Sequence, residues 1–161
     1  MLYVKGDAVV YPMHGAGVIE DLEEKNIDGI QRSYYVLRIP IGDLKIMLAA
    51  DAHDSKLRKI MPRGDIAQVM DAAANAPHLP CVVNWSQRYK DNLAMIKSGQ
   101  LSDAALVFRS LYAREAERGL SSAEKKMLVT VKKIMLSEIM LSYNVEKVEA
   151  ESILEKSMGL A

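Results

Sequence analysis

The chain has 161 residues, half of them hydrophobic and 26% charged, a length that fits one domain or two small ones with a real buried core. Twenty-one Lys and Arg balance twenty-one Asp and Glu, which argues against a histone-like basic protein and against an acidic disordered tail. One cysteine excludes an internal disulfide framework and a Cys-rich zinc finger. No apolar run approaches the roughly 20 residues that span a membrane, and charges at Lys5 and Asp7 argue against a signal peptide. A soluble cytoplasmic protein is expected.

Residues 1–61 carry β-branched and aromatic residues in short runs cut by glycine. Val9-Val10-Tyr11 makes a first strand, ending at Pro12 and the turn His14-Gly15-Ala16-Gly17. Gly17 to Lys25 and Arg32 to Ile39 flank Asn26-Ile27-Asp28-Gly29, whose Asp-Gly pair signals a hairpin. Leu44 to Leu48 supplies a fourth strand and Leu57 to Ile60 a short fifth. Five strands with no helical period predict a small, strongly bent β-barrel of the Tudor or SH3 type.

From Pro62 the period switches to about 3.6. Pro62 suits a first helical turn, with Ile66, Val69, Met70 and Ala73 as the apolar stripe up to Ala76-Pro77. A second helix starts at Asn84, with Gln87 as its capping-box partner, and closes at Ser98-Gly99. Ser102 opens a third, ending at Arg118-Gly119. Ser121 and Glu124 make a capping box for a long fourth helix reaching about Leu141, and Asn144 caps a fifth from Val145 to Met158. The sequence thus predicts an α+β protein of two domains, a β module over 1–61 and a five-helix bundle over 62–161.

Charge is unevenly spread. Residues 1–61 carry eight Lys/Arg against nine Asp/Glu, while residues 88–133 carry ten against five and residues 138–161 two against five. A bundle with a basic middle and an acidic end points weakly to nucleic acid. Catalysis has little to stand on, because His14, His53 and His78 are far apart and outside any catalytic signature. His78 and Cys81 fall short of the four ligands of a structural zinc site. Gly15-Ala16-Gly17 lacks the Gly-Lys-Ser/Thr that completes a phosphate loop. Neither an enzyme, a cofactor, a metal nor a small-molecule substrate is expected.

Trp85 is the only tryptophan and follows the cap Asn84, at the tip of the second helix. Tyr89, Leu93 and Ile96 form that helix's own apolar stripe, which Trp85 either extends or leaves for solvent. Arg88 lies one turn on, and Lys90 and Lys97 share the helix. A flat apolar side chain beside cations is suited to wedge at a base step and hold the flanking phosphates. On the fourth helix Lys125 and Lys132 are seven residues apart, as are Lys126 and Lys133, while Met127, Leu128, Val131, Ile134 and Met135 face the core. These lysines are either a solvated face or further phosphate contacts.

Gly6-Asp7-Ala8-Val9-Val10-Tyr11-Pro12-Met13-His14-Gly15 resembles the start of the CarD/CdnL family of bacterial RNA polymerase-binding transcription regulators. Asn84 to Lys90 and Glu117 to Lys125 repeat that family's pattern in register. The resemblance implies an N-terminal Tudor-like module that docks on the β subunit of RNA polymerase, bringing the chain to the nucleoid. It also implies a helical domain on promoter DNA, where the tryptophan matching Trp85 wedges into the minor groove at the upstream edge of the −10 element. Docking in the family uses the barrel's strand edge and basic residues at positions matching 25 and 47. Lys25 keeps the charge, whereas Met47 departs from it, so strand pairing by Leu44, Lys45, Ile46, Met47 and Leu48 is expected to carry more of the interface. Gln87 likewise replaces a basic residue of some relatives. The alternative reading is a protein–protein adaptor whose helical half binds a protein and never DNA.

Overall fold

The computed structural model describes residues 1–77 and 84–160. Strands β1 (Ala8–Tyr11), β2 (Gly15–Ile27), β3 (Ile30–Ile39), β4 (Leu44–Ala49) and β5 (Arg58–Lys59) form one antiparallel sheet in the order β4-β3-β2-β1-β5. A one-turn helix, α1 (Ala50–His53), precedes β5. The helices α2 (Arg63–Asn75), α3 (Trp85–Lys97), α4 (Leu101–Glu117), α5 (Ser122–Tyr143) and α6 (Lys147–Ser157) follow. The expected α+β architecture and all five strands are present. Two points differ. β4 and β5 stand at opposite ends of the strand order, so the sheet is open rather than a closed barrel. Six helices are described rather than five, because the four-residue α1 is too short to show a helical period.

The β2–β3 hairpin forms where its turn residues demand. Asp28 (φ +53°) and Gly29 (φ +79°) are both left-handed between the paired Ile27 and Ile30, as a two-residue type I′ turn requires. β2 serves two neighbours, pairing with β1 through Gly15–Val18 and with β3 from Val18 onward. A register shift between Ile19 and Asp21 bends it on the way. The sheet's own core is Tyr3, Val9, Ile19, Tyr35, Leu37, Ile39 and Leu48. The buried phenols stay satisfied, since Tyr3 Oη donates to the Leu57 carbonyl at 3.0 Å and Tyr35 Oη to Asp54.

The helices share a second core, in which Ile66 and Met70 of α2, Phe108 and Leu111 of α4, Val131, Met135 and Ile139 of α5 and Leu154 of α6 are buried. Each such side chain contributes about 1.5–3 kcal/mol by leaving water. Pro62 occupies the N-cap of α2, one residue outside the first turn. α4 begins at Leu101, one residue before the expected Ser102, and Gln100 caps it without a side-chain bond. Asn144 closes α5 instead of opening α6: its φ and ψ are both +55°, the left-handed C-cap conformation, and α6 starts at Lys147 behind Glu146.

Sheet and bundle meet along α5. Arg58, on β5, donates through Nη1 and Nη2 to Glu138 Oε2 and Oε1 at 2.8 and 2.7 Å, and through Nε to the Gly99 carbonyl at 2.7 Å. Glu138 is 1% exposed and also accepts the Met61 N–H at 2.8 Å. Ser137 Oγ accepts the Ala16 N–H at 2.8 Å while donating to the Ile134 carbonyl. Gly15 is left-handed (φ +108°), and a Cβ there would come within 2.7 Å of Ser137 Oγ, so only glycine lets β2 sit this close to α5. No helix among the described residues is long and apolar enough to cross a membrane.

Candidate nucleic-acid interface

α3 starts where Asn84 can cap it. The Asn84 side chain accepts from the Ser86 and Gln87 N–H groups, while the Gln87 side chain turns to Asp91 at 2.8 Å instead of completing a capping box. Trp85, the first helical residue, is 56% exposed. It is therefore not an extension of the apolar stripe, which runs inward through half-buried Tyr89 and Leu93 to buried Ile96. An indole this exposed gains little from folding and is free for a partner.

Arg88 is not a surface cation. Its Nε and Nη2 donate to Glu124 Oε2 and Oε1 at 2.8 and 3.0 Å, in a pair where the Arg88 side chain is 11% and Glu124 1% exposed. Sequence reasoning places Arg88 on phosphate; the structure commits these donors to the first turn of α5. Ser121 Oγ caps α5 by accepting from the Glu124 N–H at 3.2 Å and donates to Glu124 Oε1 at 3.1 Å. A cap, a buried ion pair and the tip of α3 thus form one cluster, fixing the backbone that carries Trp85.

The Arg88 guanidinium, with help from Ser121, holds the Glu124 carboxyl below the ordinary glutamate range despite burial. Because the folded value lies below the unfolded one, the stability this group adds is complete above the ordinary range. It is lost as pH falls through the folded value. Denaturant melts at stepped acidic pH are expected to show wild-type stability falling across that window. Glu124→Gln should start lower at neutral pH and fall less steeply through the same window.

Lys90, Lys97, Lys125, Lys126 and Lys133 are exposed and Lys132 is half-buried. Among the described residues none of the six is paired with a carboxylate. Lys125 and Lys126 directly follow Glu124, so the Arg88–Glu124 contact brings the basic start of α5 beside the tip of α3. Met13, Tyr89, Leu93, Met127 and Thr130 line a shallow groove between α3 and α5, with Lys126 at its side. Among the described residues no group of three His, Cys, Asp or Glu is placed to hold a metal ion. His78 and Cys81 lie outside the described residues.

The other expected surface is β4, an edge strand that among the described residues pairs only with β3. Leu44 and Met47 are exposed, Lys45 reaches Glu20 at 3.2 Å on the surface, and Ile46 is half-buried. The Leu48 side chain is buried in the sheet core, leaving only its backbone for a partner. Lys25 is exposed on β2 opposite Arg32, beyond the point where β4 ends its pairing at Tyr34 and Ala49. Lys25 therefore lies two strands in from that edge and past its paired end.

Sequence reasoning misses Glu124's burial, Arg58, Ser137 and Glu138. A signal for the two carboxylates exists: Glu124, Met127, Val131, Met135 and Glu138 keep helical spacing, so both acids continue the core stripe of α5. A carboxylate there must find a buried cation, although spacing does not say which.

Two family models match successive parts of this chain. The CarD-like/TRCF RID domain matches residues 3–61 and the CarD, C-terminal domain residues 65–155. A Bacillus subtilis (strain 168) protein, YdeB, described as a candidate transcription factor, is 36% identical over 138 residues, covering 83% of this chain and 88% of that protein. The chain belongs to the CarD family.

Proposed function

We propose that the chain is a non-enzymatic transcription regulator that bridges RNA polymerase and promoter DNA and stabilises the melted promoter. Family membership supports the coarse reading, a regulator that engages RNA polymerase. The finer reading rests on one observation: an exposed tryptophan held on a helix tip by a buried ion pair, beside exposed, unpaired lysines. Trp85 enters the minor groove at the upstream edge of the −10 element, and Lys90, Lys125 and about two more of Lys97, Lys126, Lys132 and Lys133 take phosphates. Arg88 acts through Glu124 by setting the helix tip. The β4 edge, with Leu44 and Met47 outward, docks on the polymerase β subunit by adding a strand, and Lys25 supplies long-range attraction.

Docking raises the local concentration of a weak DNA binder. The wedge then favours distorted, melted DNA over closed duplex, and only that difference in affinity shifts the equilibrium. The groove between α3 and α5 favours a second reading, an adaptor whose helical half takes a protein segment.

Salt separates the two readings. Trp85 is the only tryptophan, so its emission reports DNA binding by the free protein. Neutralising about four phosphates gives a log–log salt slope of roughly −3.6. Lys90→Ala or Lys125→Ala should each lessen it by about one unit. A slope near zero in the intact protein would support the adaptor instead.

A further inference from the structure

α5 runs from the cluster beneath Trp85 to the sheet whose far edge is β4, and a buried carboxylate fastens it at each place. At its start, Glu124 grips Arg88 one turn from Trp85. Fourteen residues on, Glu138 grips Arg58 on β5 and the Met61 N–H, next to Ser137 on the Ala16 N–H of β2. One turn further, Ser142 Oγ donates to the Met61 carbonyl at 2.7 Å, and Arg63 lies over the Tyr143 ring at 4.6 Å. Fourteen helical residues span about 21 Å. An uninterrupted helix of that length is stiff, and the segment 58–63 that leads from sheet to bundle is tied to it along its course.

Arg58 uses its planar fork fully. Two nitrogens take Glu138 side by side, and the third bonds the carbonyl of Gly99 between α3 and α4. Lysine could not hold three elements in this way. For a two-site binder such stiffness matters, because a wedge already aligned with its base step loses little freedom on insertion. A swinging one must first be ordered.

We propose that α5 is a rigid strut setting the distance and orientation of Trp85 relative to the β4 edge, and that Arg58 and Glu138 are the positioning residues pinning it to the sheet. The inference rests on the bridging function above. It predicts that loosening the pin uncouples two intact binding surfaces.

The test uses full-length Glu138→Gln, which keeps the side chain's shape, and the pair Arg58→Met/Glu138→Leu, which leaves neither charge buried alone. Residual dipolar couplings report whether sheet and bundle share one alignment. Separate titrations give affinity for core RNA polymerase and for promoter duplex, and promoter-complex decay reports the bridged function. Wild type should fit one alignment tensor and the pair variant two. Both affinities should stay within about twofold, while the variant's complexes decay about fivefold faster than those of wild type. Glu138→Gln should fall between.

Two tensors with unchanged decay would overturn the strut, as would a single tensor in the pair variant. Faster decay matched by an equal loss of either affinity would also overturn it, as a local structural effect. If wild type itself leaves decay unaltered, the bridging function fails. The couplings then still decide whether the pin holds sheet and bundle together.

Discussion

Trp85→Ala is expected to melt within 1–2 °C of wild type yet release open promoter complexes about tenfold faster. The first half follows from exposure. A side chain more than half in water makes few native contacts, and such surface changes cost about 0.5 kcal/mol or less, a degree or two in a chain of this size. The second half follows from the wedge. Unstacking a base step costs a few kcal/mol, and an indole that recovers about 1.4 kcal/mol of it slows collapse tenfold. A thermal melt and a promoter-complex decay, run on the same preparation, check both. Were Trp85 a core residue, truncation would instead cost about 3–5 kcal/mol, a loss no melt would miss.

Glu124→Ala should do the reverse to stability. Removing one member of a buried, hydrogen-bonded pair leaves the Arg88 guanidinium facing a void where its counter-charge was, at a cost of about 3–5 kcal/mol. For 161 residues that is a fall in melting temperature of about 10 °C. Ser121 also loses the carboxylate it donates to, so the start of α5 should fray. Held folded at low temperature, the variant should still bind polymerase through β4, because that edge lies on the sheet and away from the cluster. Its promoter complexes should decay faster than wild type, since Trp85 keeps its side chain but loses its foundation. Calorimetry and the same decay assay measure the two effects.

Much of the fold was legible because local chemistry dictates it. Asp28-Gly29 allows the left-handed pair of a tight hairpin, and Ser121 three residues before Glu124 forces a helix start. By sequence Asn144 suits the start of α6 and in the structure it closes α5, because asparagine serves equally as an N-cap and as a left-handed closing residue. Spacing alone does not choose between them. The open sheet was not legible at all: whether β4 reaches β5 depends on twist and bulges accumulated over three intervening strands.

The candidate site divides the same way. Trp85 stood out by being unique and next to a cap. The resemblance implies the DNA and polymerase contacts, while the geometry decides what each side chain is available for. Arg88 carries the right charge in the right register, yet its guanidinium bonds inward to Glu124, a partner 36 residues away. Arg58 and Glu138 meet across 80 residues, a separation at which no period or motif pairs them.

The bridging function is tested most directly by the lifetime of open promoter complexes formed by core polymerase and its initiation factor, with and without the wild-type chain at saturation. A competitor that traps released polymerase makes each decay irreversible. A lifetime several-fold longer with the chain present, and returned to the polymerase-alone value by Trp85→Ala, is the predicted result. An unchanged or shorter lifetime at demonstrated saturation of polymerase would contradict it.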